Sequence, residues 1–464
     1  LELFLQLGAN EEQLDFPLVY TSARLGVAGY ETDALANDLQ PLFATILKEI
    51  PPPESDKESP LQMLVTTLDY NDYLGKIAIG RIFRGTMKAN SPVVVIKRDQ
   101  TLEKTKVGKI FTFEGLKRLE VSEAIAGDIV AVTGISDINI GETIADPDNP
   151  EALPTIAVEE PTMSMLFMVN DSPFAGTEGK HVTSRKLRER LFKELETNVS
   201  LRVEETDNMD TFLVSGRGEL HLSILIENMR REGYELQVSK PEVIIKEING
   251  IKYEPYEHLT CDVPDWATGT VIEILGTRKA EMLNMQNLTG GVTRLEFLIP
   301  TRGLIGFRGE FLTETRGEGI MAHVFHSYQP YKGEIQRRNR GVLIASDPGE
   351  ATAYALYALR DRGKMFIEPG TKVYEGMIVG ECNKEQDIDV NVTRKKHLTN
   401  IRAAGSDENI KLEPAKILSL EEALEFINDD EYVEITPLNI RLRKKYLDKN
   451  TRVKYEKRRA LGGK

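Results

Sequence analysis

The feature that most constrains the fold of this chain is residues 215–222, Ser-Gly-Arg-Gly-Glu-Leu-His-Leu, together with the apolar positions that follow them. Those positions recur at the three- and four-residue spacing of one helical face: Leu222, Leu225, Ile226 and Met229. Gly233 stands where a helix commonly ends. A Gly-x-Gly turn alone is weak evidence, because many tight turns need glycine. The whole run predicts a strand that leads through a glycine-rich turn into an amphipathic helix.

This strand and helix belong to a larger, repeated order of elements. Residues 161–241 read as strand, helix, strand, strand, helix, strand, which is the split βαβ order of a ferredoxin-like domain. Residues 255–326 repeat that order, with a helix marked by Val271, Ile274 and Leu275. Two ferredoxin-like βαββαβ domains are therefore predicted.

The N-terminal third predicts a different structure. Residues 61–144 hold short strands separated by glycines, a pattern typical of a closed β-barrel. Ahead of them, residues 33–49 place apolar side chains on one helical face and end before the prolines at 51–53. The prolines predict a stiff linker at residues 51–60 and hence a domain boundary.

Length and composition limit the class of protein. A chain of 464 residues corresponds to roughly three to five domains of about 100–150 residues. Its 41% hydrophobic and 28% charged residues are typical of a globular protein, and no stretch approaches the ~20 apolar residues of a membrane span. Cys261 and Cys382 are too few for a disulfide framework, which favours a reducing cytoplasm. The chain opens at Leu1 as if inside a helix, so no signal peptide is recognised.

Charge is distributed unevenly along the chain. The net charge of −14 argues against a protein that coats nucleic acid generally. Residues 441–464, however, contain eleven Lys or Arg and two acids, a net charge of +9 that leaves −23 for the rest. An acidic body with a basic end is common in proteins that contact RNA at chosen places. Taken alone, the charge run is explained more simply by a solvated, disordered terminus.

Several motifs resemble those of translational GTPases. Residues 215–222 are similar to the third domain of the elongation factor G class, and residues 302–308 to a turn in its fifth domain. Two further segments resemble the barrel that follows the G domain in translation factors: residues 80–88 and 126–130. Three others are similar to the extra C-terminal domain of the TypA/BipA family: residues 376–380, 398–403 and 421–430. From about residue 17 to 447 the chain resembles that family throughout.

The resemblance implies a multidomain α+β protein with a translation-factor β-barrel, two ferredoxin-like domains and a C-terminal β-rich domain. The implied parts are, in order, a C-terminal remnant of the G domain at 1–50, a linker at 51–60, the barrel at 61–152, ferredoxin-like domains at 153–245 and 250–335, the TypA/BipA-specific domain at 336–447 and a basic tail at 448–464. Because the resemblance fades after about residue 447, the tail is predicted to be disordered.

Most nucleotide-binding motifs of that family are not found in this sequence. A GTPase holds phosphates with Gly-x-x-x-x-Gly-Lys-Ser/Thr, and no Gly-Lys pair here precedes Ser or Thr. Residues 383–386, Asn-Lys-Glu-Gln, are a chance match to the guanine-selecting Asn-Lys-x-Asp. Thr21, Ser22 and Ala23 resemble the family's last nucleotide motif, in which a backbone amide contacts guanine. The chain thus resembles a family member without most of its G domain. GTP and Mg²⁺ are implied for the full-length protein and no cofactor for this chain alone.

Other catalytic and metal sites are not favoured, and no catalytic residue is predicted. His323 and His326 fall in a strand pattern, in which residues three apart point to opposite faces. Ser215 and His221 have no third group to orient them as a catalytic pair. His221 is expected to pack or hydrogen-bond locally in its helix.

RNA contacts are predicted at two basic segments. The first holds Arg394, Lys395, Lys396 and His397, with Arg402 close behind and no acid between residues 390 and 402. Exposed cations on a loop neutralise phosphates, and arginine also stacks on bases. A solvated hairpin tip is the alternative, but the resemblance favours contact, because the extra TypA/BipA domain reaches the A-site tRNA in the large subunit. The second segment follows Ile440 and holds Arg441, Arg443, Lys444 and Lys445.

The resemblance implies the ribosome-binding body of a TypA/BipA translational GTPase, which acts in translation under stress and in large-subunit assembly. Its implied partners are the ribosome, rRNA and A-site tRNA, in the cytoplasm, with no membrane and as a monomer. GTPase activity is implied for the full-length protein and left open for this chain. Two alternatives remain: a truncated, nucleotide-free ribosome- or RNA-binding factor, and a relative of LepA or of the tetracycline-protection factors. Residues 398–403 and the helix near residue 421 disfavour the second.

Overall fold

The computed structural model describes residues 2–52, 56–156, 160–335, 338, 340–395 and 412–460. The chain divides into two compact units, Leu1–Ile156 and Ala157–Lys464. Among the described residues, no helix has the length and apolar content needed to cross a membrane.

The first unit consists mainly of antiparallel strands. Its helices are α1 (Glu2–Gln6), α2 (Glu11–Leu14) and α3 (Gln40–Glu49). Its strands are β1 (Tyr20–Ser22), β2 (Val27–Gly29), β3 (Gln62–Asn71), β4 (Gly75–Arg84), β5 (Thr86–Lys88), β6 (Pro92–Ile96), β7 (Leu102–Lys106), β8 (Ile110–Glu114), β9 (Lys117–Val121), β10 (Glu123–Ile125), β11 (Ile129–Val132) and β12 (Thr143–Ala145).

The predicted barrel region is an eight-stranded sheet of order β7-β6-β12-β3-β4-β11-β8-β9 around buried side chains such as Met63, Ile82 and Val130. The closure expected from the sequence is not found among the described residues, because β7 and β9 remain unpaired edges. Strand β7 carries Lys104 and Lys106 exposed, and lysines on an edge strand discourage further pairing. The sheet-rich fold class is as predicted; the closure is not.

Helix α3 is shorter than the helix predicted over residues 33–49, since it begins at Gln40. Pro41 lies in its first turn, where proline lacks an amide that the helix would leave unpaired in any case. Its end at Glu49, ahead of Pro51, agrees with the prediction.

The second unit mixes helices and strands. Its helices are α4 (Ser184–Glu194), α5 (Glu219–Arg231), α6 (Thr268–Thr277), α7 (Thr301–Leu304), α8 (Phe307–Glu314), α9 (Ala353–Leu359), α10 (Leu420–Phe426) and α11 (Lys449–Ala460), with 3₁₀ turns at Asp265–Ala267 and Arg360–Arg362. Its strands are β13 (Met163–Val169), β14 (Arg202–Glu205), β15 (Thr211–Gly216), β16 (Leu236–Val238), β17 (Glu242–Val243), β18 (Lys246–Ile248), β19 (Ile251–Pro264), β20 (Glu281–Leu288), β21 (Val292–Pro300), β22 (Ile320–Pro330), β23 (Val342–Ala345), β24 (Gly349–Glu350), β25 (Gly363–Met365), β26 (Lys372–Val373), β27 (Met377–Cys382), β28 (Ile388–Val390), β29 (Glu431–Ile435) and β30 (Ile440–Lys444).

Both predicted ferredoxin-like folds are present. In the first, strands run in the order β14-β15-β13-β16; in the second, β22 pairs β19 in the order β22-β19-β21-β20. Numbered within each βαββαβ unit, both sheets have the single order fourth, first, third, second strand, read from opposite ends. Helix α5 buries the predicted residues Leu222, Leu225, Ile226 and Met229, because they form its apolar stripe. Gly233 has φ +93°, a left-handed conformation that glycine tolerates, and ends the helix as predicted.

The C-terminal residues do not form a separate sheet. Strand β16, the edge of the first ferredoxin-like sheet, pairs with β29, and the sheet continues through β30, β27, β23 and β28. We call the β16–β29 pairing the seam. One hydrophobic core lies beneath it, with Phe167 and Leu236 from one side and Leu424 and Val433 from the other. Residues that the sequence assigns to two domains therefore share a sheet and a core.

The disorder predicted after residue 447 is contradicted for residues 449–460, the part of the tail that the structure describes. Residues 449–460 form α11, and Asp448 accepts a 2.7 Å hydrogen bond from the backbone N–H of Thr451, as an N-cap does. Buried Arg452 pairs with Asp389 and anchors the helix to the C-terminal residues.

Candidate nucleic-acid interface

The remnant nucleotide motif lies in a small hairpin. Thr21 and Ser22 end β1, which pairs with β2, and Ala23 begins the turn between them. The Ser22 carbonyl accepts from the backbone N–H groups of Leu25 and Gly26 at 3.2 and 2.9 Å. Thr21 and Ala23 are exposed. No phosphate-binding Gly-Lys-Ser/Thr accompanies this hairpin in the sequence.

The first basic segment is described as far as Lys395. The Arg394 carbonyl accepts a 2.6 Å hydrogen bond from the Thr352 hydroxyl, and Thr352 also caps helix α9. This fixes the backbone while both side chains, Arg394 and Lys395, are exposed. Lys396, His397 and Arg402 lie outside the described residues. A fixed backbone that presents two cations to solvent suits phosphate contact.

The second basic segment is mostly buried, which corrects the prediction for Arg441, Arg443 and Lys444. Their side chains are 10%, 3% and 3% exposed. Arg441 pairs with Glu178 and, at 2.9 Å, with Glu434. Arg443 pairs with Asp171 at 2.6 Å and donates to Gln237 at 3.1 Å. Buried, neutralised cations are not available to external phosphates.

Lys444 lies among three carboxylates, with its Nζ 2.6 Å from Asp387, 2.7 Å from Asp430 and 2.8 Å from Glu431. These acids are close enough together to hold a metal ion, but the ammonium group already supplies the cation. Burial opposes the charge on Lys444, yet the carboxylates outweigh it and raise the pKa of Lys444. Lys445 differs from its neighbours, because its side chain is exposed.

The buried charges join the two sides of the seam. Glu434, which is fully buried, accepts from the Tyr374 hydroxyl at 2.6 Å and from the Asn170 amide at 3.3 Å, as well as from Arg441. Burial, followed by Glu434, raises the pKa of Tyr374 well above its ordinary value. Asn170 also donates to Glu235 at 2.8 Å. Removing one member would leave a buried polar group unpaired, so the network enforces one alignment of the two sides.

His221 hydrogen-bonds within its surroundings, as the sequence predicts. The backbone N–H of Arg217 donates to His221 Nδ1 at 3.2 Å, and Asn198 lies 2.8 Å from His221 Nε2. Burial, with Arg217 nearby, lowers the pKa of His221. His323 pairs with Glu257, while His326 contacts the Ser327 hydroxyl at 2.8 Å. Each of these three histidines thus contacts a polar partner within the protein.

Two features of the structure were not predicted from the sequence. The acids of β29 lie directly opposite the bases of β30, as Glu431–Lys444 and Glu434–Arg441; cross-strand charge pairing in this hairpin was the available signal. The exposed cations of α11 were also missed: Lys454, Lys457 and Arg458. Asp448 before a run of good helix formers was the signal there.

Three segments of this chain match known protein families. Residues 340–449 match the TypA/BipA C-terminal domain, residues 251–339 the elongation factor G C-terminus, and residues 75–145 elongation factor Tu domain 2.

Relatives match over nearly the whole chain. It is 54% identical to the large ribosomal subunit assembly factor BipA of Bacillus subtilis (strain 168), over 100% of this chain and 76% of that protein. The proteins of the same name from Synechocystis and Salmonella typhimurium are 55% and 52% identical, over 96% and 97% of this chain and 74% of each relative. A crystal structure from Thermus thermophilus overlaps with a TM-score of 0.43 at 17% identity, over 63% of this chain and 59% of that one, which is too little to support an inference.

Proposed function

The chain belongs to the TypA/BipA family, and from this membership we propose that it binds the ribosome and acts in assembly of the large subunit. The observation that carries the proposal is 54% identity over all 464 residues to a large ribosomal subunit assembly factor. The domains support it, because those that resemble elongation factors G and Tu are of the kind that docks on ribosomes. The match at residues 340–449 favours this reading over a LepA-like factor.

We propose rRNA and A-site tRNA as the contacts of the segment that begins at Arg394. Arg394 and Lys395 are exposed, and no described carboxylate is paired with either. The sequence continues with Lys396, His397 and Arg402, without an acid between 390 and 402. Cations on such a segment gain affinity by releasing counterions from phosphates. We further propose that the chain acts in the cytoplasm, as a monomer, in translation under stress.

Family members are GTPases, but the residues of this chain do not fit GTP phosphates. The sequence contains no Gly-Lys-Ser/Thr, and Thr21, Ser22 and Ala23 occupy an exposed hairpin that offers only a guanine contact. We therefore propose that this chain binds ribosomes without hydrolysing GTP, and that GTP with Mg²⁺ acts in the full-length protein. Isothermal calorimetry with GTP should give no binding at micromolar concentration.

The proposed RNA contact is tested with Arg394→Ala, Lys395→Ala and Lys396→Ala combined. Exposed charges contribute little to the stability of the fold. Loss of three phosphate contacts should reduce the magnitude of the slope of log K against log salt concentration by about 2 to 3. Sedimentation with purified large subunits across a salt series measures this slope. The matched control is Lys364→Ala, Lys372→Ala and Lys384→Ala, which removes three exposed cations from other segments of the C-terminal residues. Equal slopes for the two variants would refute the assignment.

A further inference from the structure

We propose that the outward face of helix α11 is a second RNA-binding surface, which contacts the phosphate backbone of a folded RNA. The face consists of Lys454, Lys457 and Arg458, which are all exposed. Residues 454, 457 and 458 are spaced i, i+3 and i+4, so they lie side by side along one face of the helix. The family match to the TypA/BipA C-terminal domain ends at residue 449, where this helix begins.

The helix is held in one orientation by its inward face. Arg452, 8% exposed at its side chain, pairs with Asp389 and donates to the Tyr446 carbonyl at 3.3 Å. Lys449 also pairs with Asp389, at 3.2 Å, and the Tyr446 and Tyr455 rings lie 5.0 Å apart. Since Arg452 and Tyr455 point inward, residues 454, 457 and 458 are turned outward. The three cations are therefore preorganised.

The described cations of α11 differ in their partners. Lys449 and Arg452 share one carboxylate, Asp389, whereas Lys454, Lys457 and Arg458 are exposed and form no ion pair among the described side chains. Like charges at i and i+4, such as Lys454 and Arg458, repel each other and destabilise a helix. The cations of β30 differ from these three, because they are turned inward and paired with carboxylates. A helical face whose three cations have no partner among the described side chains is complementary to a polyanion.

Among polyanions, RNA fits better than a membrane surface. A helix that lies on a membrane inserts a continuous apolar face. In α11, the side that faces away from the three exposed cations packs against Asp389 and Tyr446 of the same chain. Val453, 40% exposed, is a single apolar side chain and not a face. Identification of the polyanion as ribosomal RNA rests on the proposed function.

The test compares two triple variants that lose the same charge from the same C-terminal region. The first is Lys454→Ala, Lys457→Ala and Arg458→Ala; the control is Lys364→Ala, Lys372→Ala and Lys384→Ala, three exposed lysines on separate segments. Alanine favours helix, so the first variant should keep α11, which circular dichroism and melting temperature check. At physiological salt we expect about tenfold weaker sedimentation with large subunits for the α11 variant only, and a salt slope lower by about 2 to 3. A variant with Lys454→Arg and Lys457→Arg should bind as wild type.

The contacted molecule is identified by cleavage from a tethered reagent. Lys457→Cys is labelled with iron-EDTA, with Lys372→Cys as control; Cys261 and Cys382 are fully buried, so the introduced thiol is the reactive one. Cleavage of one rRNA segment from residue 457 is expected. Loss of subunit binding in the triple variant without rRNA cleavage would indicate a ribosomal protein partner and overturn the proposal, as would equal binding by the two triple variants.

A different experiment applies if the proposed ribosomal function is wrong. If the wild type does not sediment with large subunits, its binding to a short RNA duplex is compared with that of the α11 variant. Loss of duplex binding only in the α11 variant would keep the RNA surface and reject the ribosomal function. Equal duplex binding by both would reject the surface as well.

Discussion

At the scale of single residues, position within the fold decides what a basic side chain does. Arg441, Arg443 and Lys444 belong to the same sequence run as Lys445, yet the first three are buried and paired, and Lys445 is exposed. The alternation of a strand turns successive side chains to opposite faces, but here both faces of β30 are covered by neighbouring elements. Charge alone did not distinguish a buried ion pair from an RNA contact.

Lys444→Met should destabilise the second unit strongly. Asp387, Asp430 and Glu431 would be left close together without their cation, and breaking a buried ion pair from one side costs about 3–5 kcal/mol. Thermal unfolding followed by circular dichroism measures the change. Lys445→Met is the control, because its exposed side chain should change the melting temperature little. Equal shifts in the two variants would contradict the buried network.

The His323–Glu257 pair should make stability depend on pH. The hydrogen bond to Glu257 raises the pKa of His323, against the effect of burial. Because the folded pKa lies above the unfolded value of about 6.5, the pair stabilises fully below that pH, and its contribution is lost as pH rises through the folded pKa. An NMR titration of the ring should give a midpoint above 6.5 in wild type and a lower one in Glu257→Gln. An unchanged midpoint would show that Glu257 does not hold the proton.

At the scale of elements, local signals in the sequence set where helices begin and end. Helix α10 begins with a capping box: the Ser419 hydroxyl accepts from the Glu422 backbone N–H at 3.2 Å, and Glu422 accepts from the Ser419 backbone N–H at 2.9 Å. These bonds pair amides that the first helical turn would otherwise leave unsatisfied. The Asp448 cap of α11 follows the same rule.

Ser419→Ala should cost about 1 kcal/mol of local stability in α10, since it removes the cap. The readout is hydrogen exchange of the α10 amides, with exchange in α5 as an internal reference. Ser419→Asp, which can still accept from the Glu422 N–H, should exchange nearly as slowly as wild type. If aspartate and alanine gave the same acceleration, the cap would not be what stabilises the helix end.

At the scale of the whole molecule, the seam makes the first ferredoxin-like fold and the C-terminal residues one structural body. Strands β16 and β29 pair in register from Leu236–Ile435 to Val238–Val433. Ion pairs made by buried arginines cross the same boundary through Arg441–Glu178 and Arg443–Asp171. A surface presented by the C-terminal residues, such as Arg394 or α11, is therefore positioned by the ferredoxin-like fold.

We expect the two sides of the seam to unfold together. Native-state hydrogen exchange in low denaturant should give β16 and β29 amides the same opening free energy, because they share hydrogen bonds and a core. Glu434→Gln, which weakens the pairing of Arg441, should lower both values equally. A fall confined to β29 would show that the C-terminal residues open independently.

Local patterns in the sequence were enough to predict α5 and both ferredoxin-like folds, although they missed α11 and extended α3 too far. Apolar spacing marked α5, Gly233 marked its end, and the order of strands and helices specified both ferredoxin-like folds, because local propensity and periodicity act over a few residues. Tertiary contacts fixed three further outcomes: the barrel sheet stays open, β16 pairs with β29, and Arg441 faces inward while Arg458 faces outward. Those outcomes depend on partners such as Glu178 and Asp389, distant along the chain, and a single sequence carries no local signal for contacts between remote residues.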